Sequence, residues 1–292
     1  MEAQRDIVVG VDGSSGSDHA LEWAIAEAAR ADCGLVLAYG LTPMTPNERG
    51  WLARGGADPT GMQRQVRRKA EEMLREKAKK IAEDNPGVRI TTTVCEQDPR
   101  AALAGLSRHA HQVVVGSRGH GPIASLLLGS VSQALTRTAD CPVVVVRPPS
   151  APAVEPGVVV GLSSTQGSGP ALSAGFAEAA ARGVPLVVAL CVWDGFYVMG
   201  SWGDPTEDSP GFDELRVALA AAIDGVGRQY PEVSVTVLVE HGSVTHCFLD
   251  LSRARDLLVL GRSGTHAAWG AGSGSLTTVV VEHAHVPVMV VP

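Results

Sequence analysis

The sequence lacks the marks of several large protein classes. No apolar run approaches the roughly 20 residues that span a bilayer as a helix. The opening Met1-Glu2-Ala3-Gln4-Arg5-Asp6 leads straight into a strand, with no apolar core of a signal peptide. Five cysteines (Cys33, Cys95, Cys141, Cys191, Cys247) are scattered, odd in number and without a C-x-x-C pair. That pattern predicts buried thiols in a reducing compartment, not a disulfide frame or a zinc site. Excess positive charge is also missing: the net charge is -7, so neither nucleic acid nor an anionic membrane is an expected partner. The motifs of common hydrolases are absent too: no G-x-x-x-x-G-K-[ST], no G-x-S-x-G and no H-E-x-x-H. No carboxylate is evidently placed to activate water at a γ-phosphate. The expectation is a soluble cytoplasmic protein without a catalytic centre of these kinds.

What is present is a repeat. Val113-Val114-Val115-Gly116-Ser117-Arg118-Gly119-His120-Gly121, running on to Gly129-Ser130-Val131-Ser132, returns as Leu257-Leu258-Val259-Leu260-Gly261-Arg262-Ser263-Gly264 with Gly274-Ser275-Leu276-Thr277. In both copies two residues separate the first two glycines, and nine separate the second glycine from Gly-Ser. The openings match as well, Ile7-Val8-Val9-Gly10-Val11-Asp12 against Val158-Val159-Val160-Gly161-Leu162-Ser163, and so do the ends, Cys141-Pro142-Val143-Val144-Val145-Val146 against Val286-Pro287-Val288-Met289-Val290-Val291. At 292 residues and 45% hydrophobic composition, the chain has room for two domains with a core each. They are expected at 1–148 and 157–292, joined by the stiff Pro-rich segment 147–156.

Each half alternates strands and helices. In the first, strands are predicted at 6–12, 34–41, 88–95, 112–116 and 142–147, and helices at 17–31, 63–84, 99–110 and 130–138. A Pro/Gly-rich insertion with Trp51 fills 42–62, and the second half has its own variable loop from Asp194 to Pro210. Continuously apolar strands between helices predict a parallel sheet covered on both faces, and right-handed crossovers make it doubly wound. The switch point then falls between the first and fourth strands, with Asp12 beside Gly116. The fifth strand becomes an edge, too apolar to leave bare. The two domains are therefore expected to pair through their last strands.

A glycine-rich turn after a strand, feeding a helix N-terminus, is suited to an anion. Backbone N–H groups point outward, the helix dipole favours negative charge, and glycine admits close approach. Competing readings stay open here. The loop could be only a tight turn. Asp12 could cap the following turn. Arg118 and Arg262 could neutralise phosphate or be solvated. The charged stretch Arg64 to Lys80 could meet an acidic partner or form the solvated face of an amphipathic helix. Trp51, Trp193 and Trp202 could roof the crevice, offer a partner surface or close the core.

The opening V-V-G-V-D, the twice-repeated G-x2-G-x9-G-S and the terminal C-P-V-V-V-V together resemble the universal stress protein family, and two copies resemble its tandem members. The resemblance implies an α/β architecture of two Rossmann-like domains, each with a five-stranded parallel sheet, and adenine nucleotide binding at the glycine loop of the ATP-binding branch. Carried over, Gly116, Gly119, Gly129 and Ser130 hold phosphates. Ser117, Arg118, His120 and Gly121 fill the loop, and Val131 and Ser132 continue into the helix with a hydroxyl to donate. Asp12 lies near ribose or adenine, and Gly10 lets the base pass. Gly161, Gly261, Arg262, Ser263, Gly264, Gly274, Ser275, Leu276 and Thr277 take the matching places. Ser163 stands where Asp12 stands, which weakens the second site, and Asp194 is a candidate substitute. The implied ligand is ATP, with Ser130 or Ser132 available to Mg²⁺. The implied function is a regulatory or stress-response nucleotide-binding protein with slow hydrolysis at most, self-associating as a dimer. The alternative is an ATP-dependent enzyme of the adenine-nucleotide α-hydrolase type.

Overall fold

A computed structural model describes residues 6–119, 128–148, 155–192, 210–253, 255–262 and 276–292. The chain divides into two compact units, Met1–Pro148 and Pro149–Pro292.

Unit one runs β1 (Ile7–Gly10), α1 (Ser15–Ala31), β2 (Leu35–Gly40), α2 (Pro46–Arg54), α3 (Pro59–Asp84), β3 (Ile90–Cys95), α4 (Pro99–Ser107), β4 (Gln112–Gly116), α5 (Ser130–Thr138) and β5 (Val143–Val146). The strands pair in parallel in the order β3-β2-β1-β4-β5. The winding of the chain along the sheet therefore reverses between β1 and β4, where Val9 stands opposite Val114. Lys77 of α3 pairs with Asp18 of α1 on one face of the sheet, and α4 packs on α5 on the other. Sandwiched between these layers, Ile7, Val9, Val113, Val114 and Val144 are wholly buried. Burial of such a side chain stabilises by about 1.5–3 kcal/mol, so the apolar strands are the main source of cohesion.

Unit two repeats the order as β6 (Val158–Leu162), α6 (Gly169–Arg182), β7 (Leu186–Val192), α7 (Pro210–Gly227), β8 (Val235–His241), α8 (Val244–Ser252), β9 (Leu257–Gly261), α9 (Leu276–His283) and β10 (Val288–Val291). Its parallel order is β8-β7-β6-β9-β10. The chain is thus an α/β protein of two Rossmann-like units in tandem. The repeat reaches into fine detail: α1 ends on Asp32 at φ 52 and α6 on Gly183 at φ 64, both left-handed.

Two expectations need correction. The insertion 42–62 is not irregular. Thr45 and Glu48 form a capping box with Pro46 in the first turn, which starts α2, and α3 begins at Pro59. Nor are all five cysteines thiols. Cys191 at the end of β7 and Cys247 in α8 form a disulfide, while Cys33, Cys95 and Cys141 are free. The fold brings together two residues 56 positions apart, with Cα atoms 6.8 Å from each other. Among the described residues no helix is long and apolar enough to cross a membrane.

Candidate functional site

In unit one the loop that leaves β4 is tied down at both ends. The Ser117 N–H donates to Val146 O at 2.7 Å, extending the β4–β5 ladder by one bond. The Gly129 N–H donates to Ser117 O at 2.7 Å, which brings the far end of the loop back to its start. The Ser132 hydroxyl donates to Gly116 O at 2.7 Å and is buried. Two hydrogen bonds thus hold the entry of α5 against the exit of β4, and a third fixes that exit to β5. The single proton of Ser132 goes to the loop's own backbone, so this hydroxyl acts as a tether and not as the outward donor expected.

The helix entry itself is bare. Gly129 is the N-cap of α5 and makes no side-chain cap, and Ser130 behind it is exposed. The first turn of a helix carries N–H groups without intrahelical partners and the positive end of the dipole. A glycine there lets an anion approach those groups.

The β1 side closes against the loop backbone to backbone. A Cβ built on Gly116 would run into the carbonyl of Gly16, and one on Gly16 into the carbonyl of Arg118. Gly16 is a site-forming residue that sequence reasoning passed over as part of a turn; its glycine at the start of α1 was the available signal. Asp12 stands at the same junction. Its Oδ1 accepts from the Ser14 N–H at 2.9 Å and from the Ser14 hydroxyl at 2.5 Å. Its Oδ2 lies where a Cβ on Gly119 would fall. Asp12 therefore caps the turn before α1, and its other oxygen faces the glycine loop. Ser14 in turn accepts from the Ser17 N–H as the N-cap of α1.

Gly10 has a different role from the one expected. The space above it is taken by Leu103 and Val115, whose methyl groups would lie 2.9 and 3.1 Å from a Cβ. Its missing side chain lets α4 settle on the sheet instead of admitting a base. Gly161 does the same for Leu260 and Phe248. Arg118 and Gly119 are exposed on the loop. His120 and Gly121 lie outside the described residues.

Unit two keeps the tether. The Arg262 N–H donates to Val291 O at 2.6 Å, and the Thr277 hydroxyl to Gly261 O at 3.2 Å. Yet among the described residues nothing comes within 4 Å of a Cβ on Gly261 or on Gly167, the counterpart of Gly16. Ser163 is exposed, and α6 starts at Gly169 without a side-chain cap. Among the described residues the Asp12–Ser14 bonding that precedes α1 has no equivalent between Ser163 and Thr165. Leu276 starts α9. Asp194, Trp193, Trp202, Ser263, Gly264, Gly274 and Ser275 lie outside the described residues.

Comparison with known proteins gives one consistent result. The model of the universal stress protein family matches residues 4–147 and again 157–292. A universal stress protein of Mycobacterium bovis is 33% identical over 313 residues, covering 99% of this chain and 96% of that protein. One from Mycolicibacterium smegmatis is 33% identical over 298 residues, covering 98% and 96%. Among solved structures, a universal stress protein from Archaeoglobus fulgidus superposes with a TM-score of 0.69 at 21% identity, covering 98% of this chain and 96% of that one.

Proposed function

The chain belongs to the universal stress protein family, and we propose that it is a nucleotide-binding regulatory member whose first half binds ATP. The observation that carries this reading is the entry of α5: an uncapped helix N-terminus behind Gly129, held 2.7 Å from the β4 exit by the Ser117 carbonyl. The N–H groups at Ser130 and Val131 suit the phosphates, and the loop-side oxygen of Asp12 suits a ribose hydroxyl or an exocyclic amine. Gly116 and Gly119 keep the backbone within reach of both. Ser130, exposed at the helix start, is the hydroxyl placed to assist Mg²⁺. Ser132 holds the loop. Arg118, on the exposed rim, supplies charge to the phosphate tail.

Unit two is the weaker site in this reading. It has Ser163 in place of a carboxylate and an open first turn in α6. Phosphate held by main-chain amides, without a lysine or a base aimed at water, fits retention of nucleotide better than turnover. ATP then tunes conformation or partner choice. Pairing of the halves through β5 and β10 belongs to the same proposal, because each strand is the last of its sheet and consists of Val or Met alone.

Calorimetric titration of the full chain with ATP tests this. One tight site is expected, abolished by Gly129→Val with the far-ultraviolet circular dichroism unchanged, and retained in Gly274→Val. Equal affinity in Gly129→Val would overturn the assignment, and steady release of phosphate or pyrophosphate at ordinary enzymatic rates would overturn the regulatory role.

A further inference from the structure

Among the described residues the exposed large apolar side chains fall in two places only. Trp51, Met62 and Val66 stand on α2 and α3, and Val217 and Val237 on α7 and β8. Of these elements α3 and α7 correspond in the repeat, since each links the second and third strands of its unit. Single exposed apolar residues are ordinary, but the clustering of three of the five on α2 and α3 calls for an explanation.

The first surface is built in advance of any contact. Helix α2 has nine residues and buries none of them, and a helix so short is marginal alone in water. It is nevertheless fixed by its capping box and by Pro46 in its first turn, and Arg49 reaches Gln63 of α3. The result presents Trp51 at 70% exposure on a prepared scaffold. Tryptophan in such a setting is a common anchor of protein interfaces, and pre-organisation lowers the cost of docking.

Charge selects the occupant. Residues 46–69 carry six Arg or Lys against two Asp or Glu, in a chain of net charge -7. Arg67 is paired with Glu71 and Glu96, whereas Arg54, Arg68 and Lys69 have no carboxylate partner among the described residues. In unit two the stretch 210–241, which forms α7 and β8, has the opposite sign, with five Asp or Glu against two Arg. There Glu214, Asp224 and Glu232 are exposed, again without an ion pair among the described residues.

We infer that the α2–α3 surface of one molecule docks on the α7–β8 surface of a second copy of this chain. Apolar side chains meet at the centre, and arginine and lysine face glutamate and aspartate around them. A chain that carries both members of a complementary set needs no outside partner to satisfy either.

Sedimentation of the full chain at about 0.05 M and about 0.5 M salt tests the inference. Self-association is expected at low salt and its loss at high salt. Arg68→Glu with Lys69→Glu is expected to be monomeric at low salt, and so is Glu214→Lys with Glu232→Lys. An equimolar mixture of these two variants restores a heterologous pair, because each reversed surface finds its complement. Trp51→Ala weakens association at least about tenfold. A chain that stays monomeric throughout overturns the inference, as do charge-reversed variants that assemble like the parent or a mixture that fails to associate. Binding of the monomer to anionic vesicles through Trp51 would also overturn it, by giving the surface to a membrane.

Discussion

The hydroxyl of Ser132 and the carbonyl oxygen of Gly116 are joined at 2.7 Å, sixteen residues apart, and Thr277 repeats the bond to Gly261 at 3.2 Å across the same interval. Either bond ties the first turn of a helix to the last residue of the strand before it. Removing the hydroxyl leaves a buried carbonyl unpaired, at a cost of about 1–3 kcal/mol. Ser132→Ala is therefore expected to lower the stability of unit one by about that amount in chemical denaturation. It should also loosen nucleotide more than Thr277→Val does. Unchanged stability would mean the bond is redundant.

The four loop glycines that the repeat makes equivalent are not equivalent in space. Gly116→Ala and Gly16→Ala would each drive a methyl group into main-chain carbonyl atoms, whereas Gly261→Ala and Gly167→Ala meet nothing within 4 Å among the described residues. Backbone cannot move aside as a side-chain tip can, so the first pair is expected to cost about 1–3 kcal/mol. Gly261→Ala should be close to neutral. Gly167, at φ 70, adds strain of its own. Thermal melts of the four variants decide the matter, and equal losses at Gly116 and Gly261 would count against this difference.

Acid stability has a nameable contributor at the start of α4. The Arg100 side chain donates to Asp98 and, with the Arg100 N–H, holds its carboxyl below the ordinary value, although burial acts the other way. A carboxyl lowered on folding stabilises above its unfolded pKa, near 3.9, and that contribution is lost as the pH falls through the lower folded value. Glu48, lowered by the Thr45 N–H and hydroxyl, behaves alike. Asp98→Asn keeps a capping oxygen and removes the charge. Its deficit relative to the parent should be constant from neutral pH to about 5 and shrink as the pH falls through the lowered folded value. A deficit that persists in acid would point to capping geometry alone.

Reduction of the Cys191–Cys247 bond should act on one half. A closed loop of 56 residues corresponds to about 4 kcal/mol in the chain-entropy account. With reductant, or in Cys191→Ser with Cys247→Ser, calorimetry is expected to show the transition of unit two moving down while that of unit one stays. The two sulfurs lie within a single unit, so a common shift of both transitions would show the halves to unfold together.

Much of this was readable from the chain because local and global signals agree. Apolar strands bounded by glycine, with helical spacing between them, give the parallel order once handedness is allowed for, and 112–116 and 130–138 agree with the observed elements. The insertion failed as a loop because proline and glycine were weighed before the Thr45–Pro46–Glu48 cap, which is a helix start. The disulfide left no trace in spacing, since only the fold brings Cys247 to Cys191. Asp12 shows the limit at the site: sequence placed it beside the glycine loop, but its bonds to Ser14 and its contact with Gly119 depend on three-dimensional closeness between β1 and β4. Gly10 shows the same limit in reverse. Its missing side chain was read as room for a ligand and serves Leu103.

The carbonyl of Arg118 resting on the bare Cα of Gly16 leaves the first loop no slack towards α1. An occupant that shifts this loop must shift the head of that helix with it, and α1 lies across β1, β2, β4 and β5. A ligand that displaces this loop is thus felt across the breadth of its own sheet.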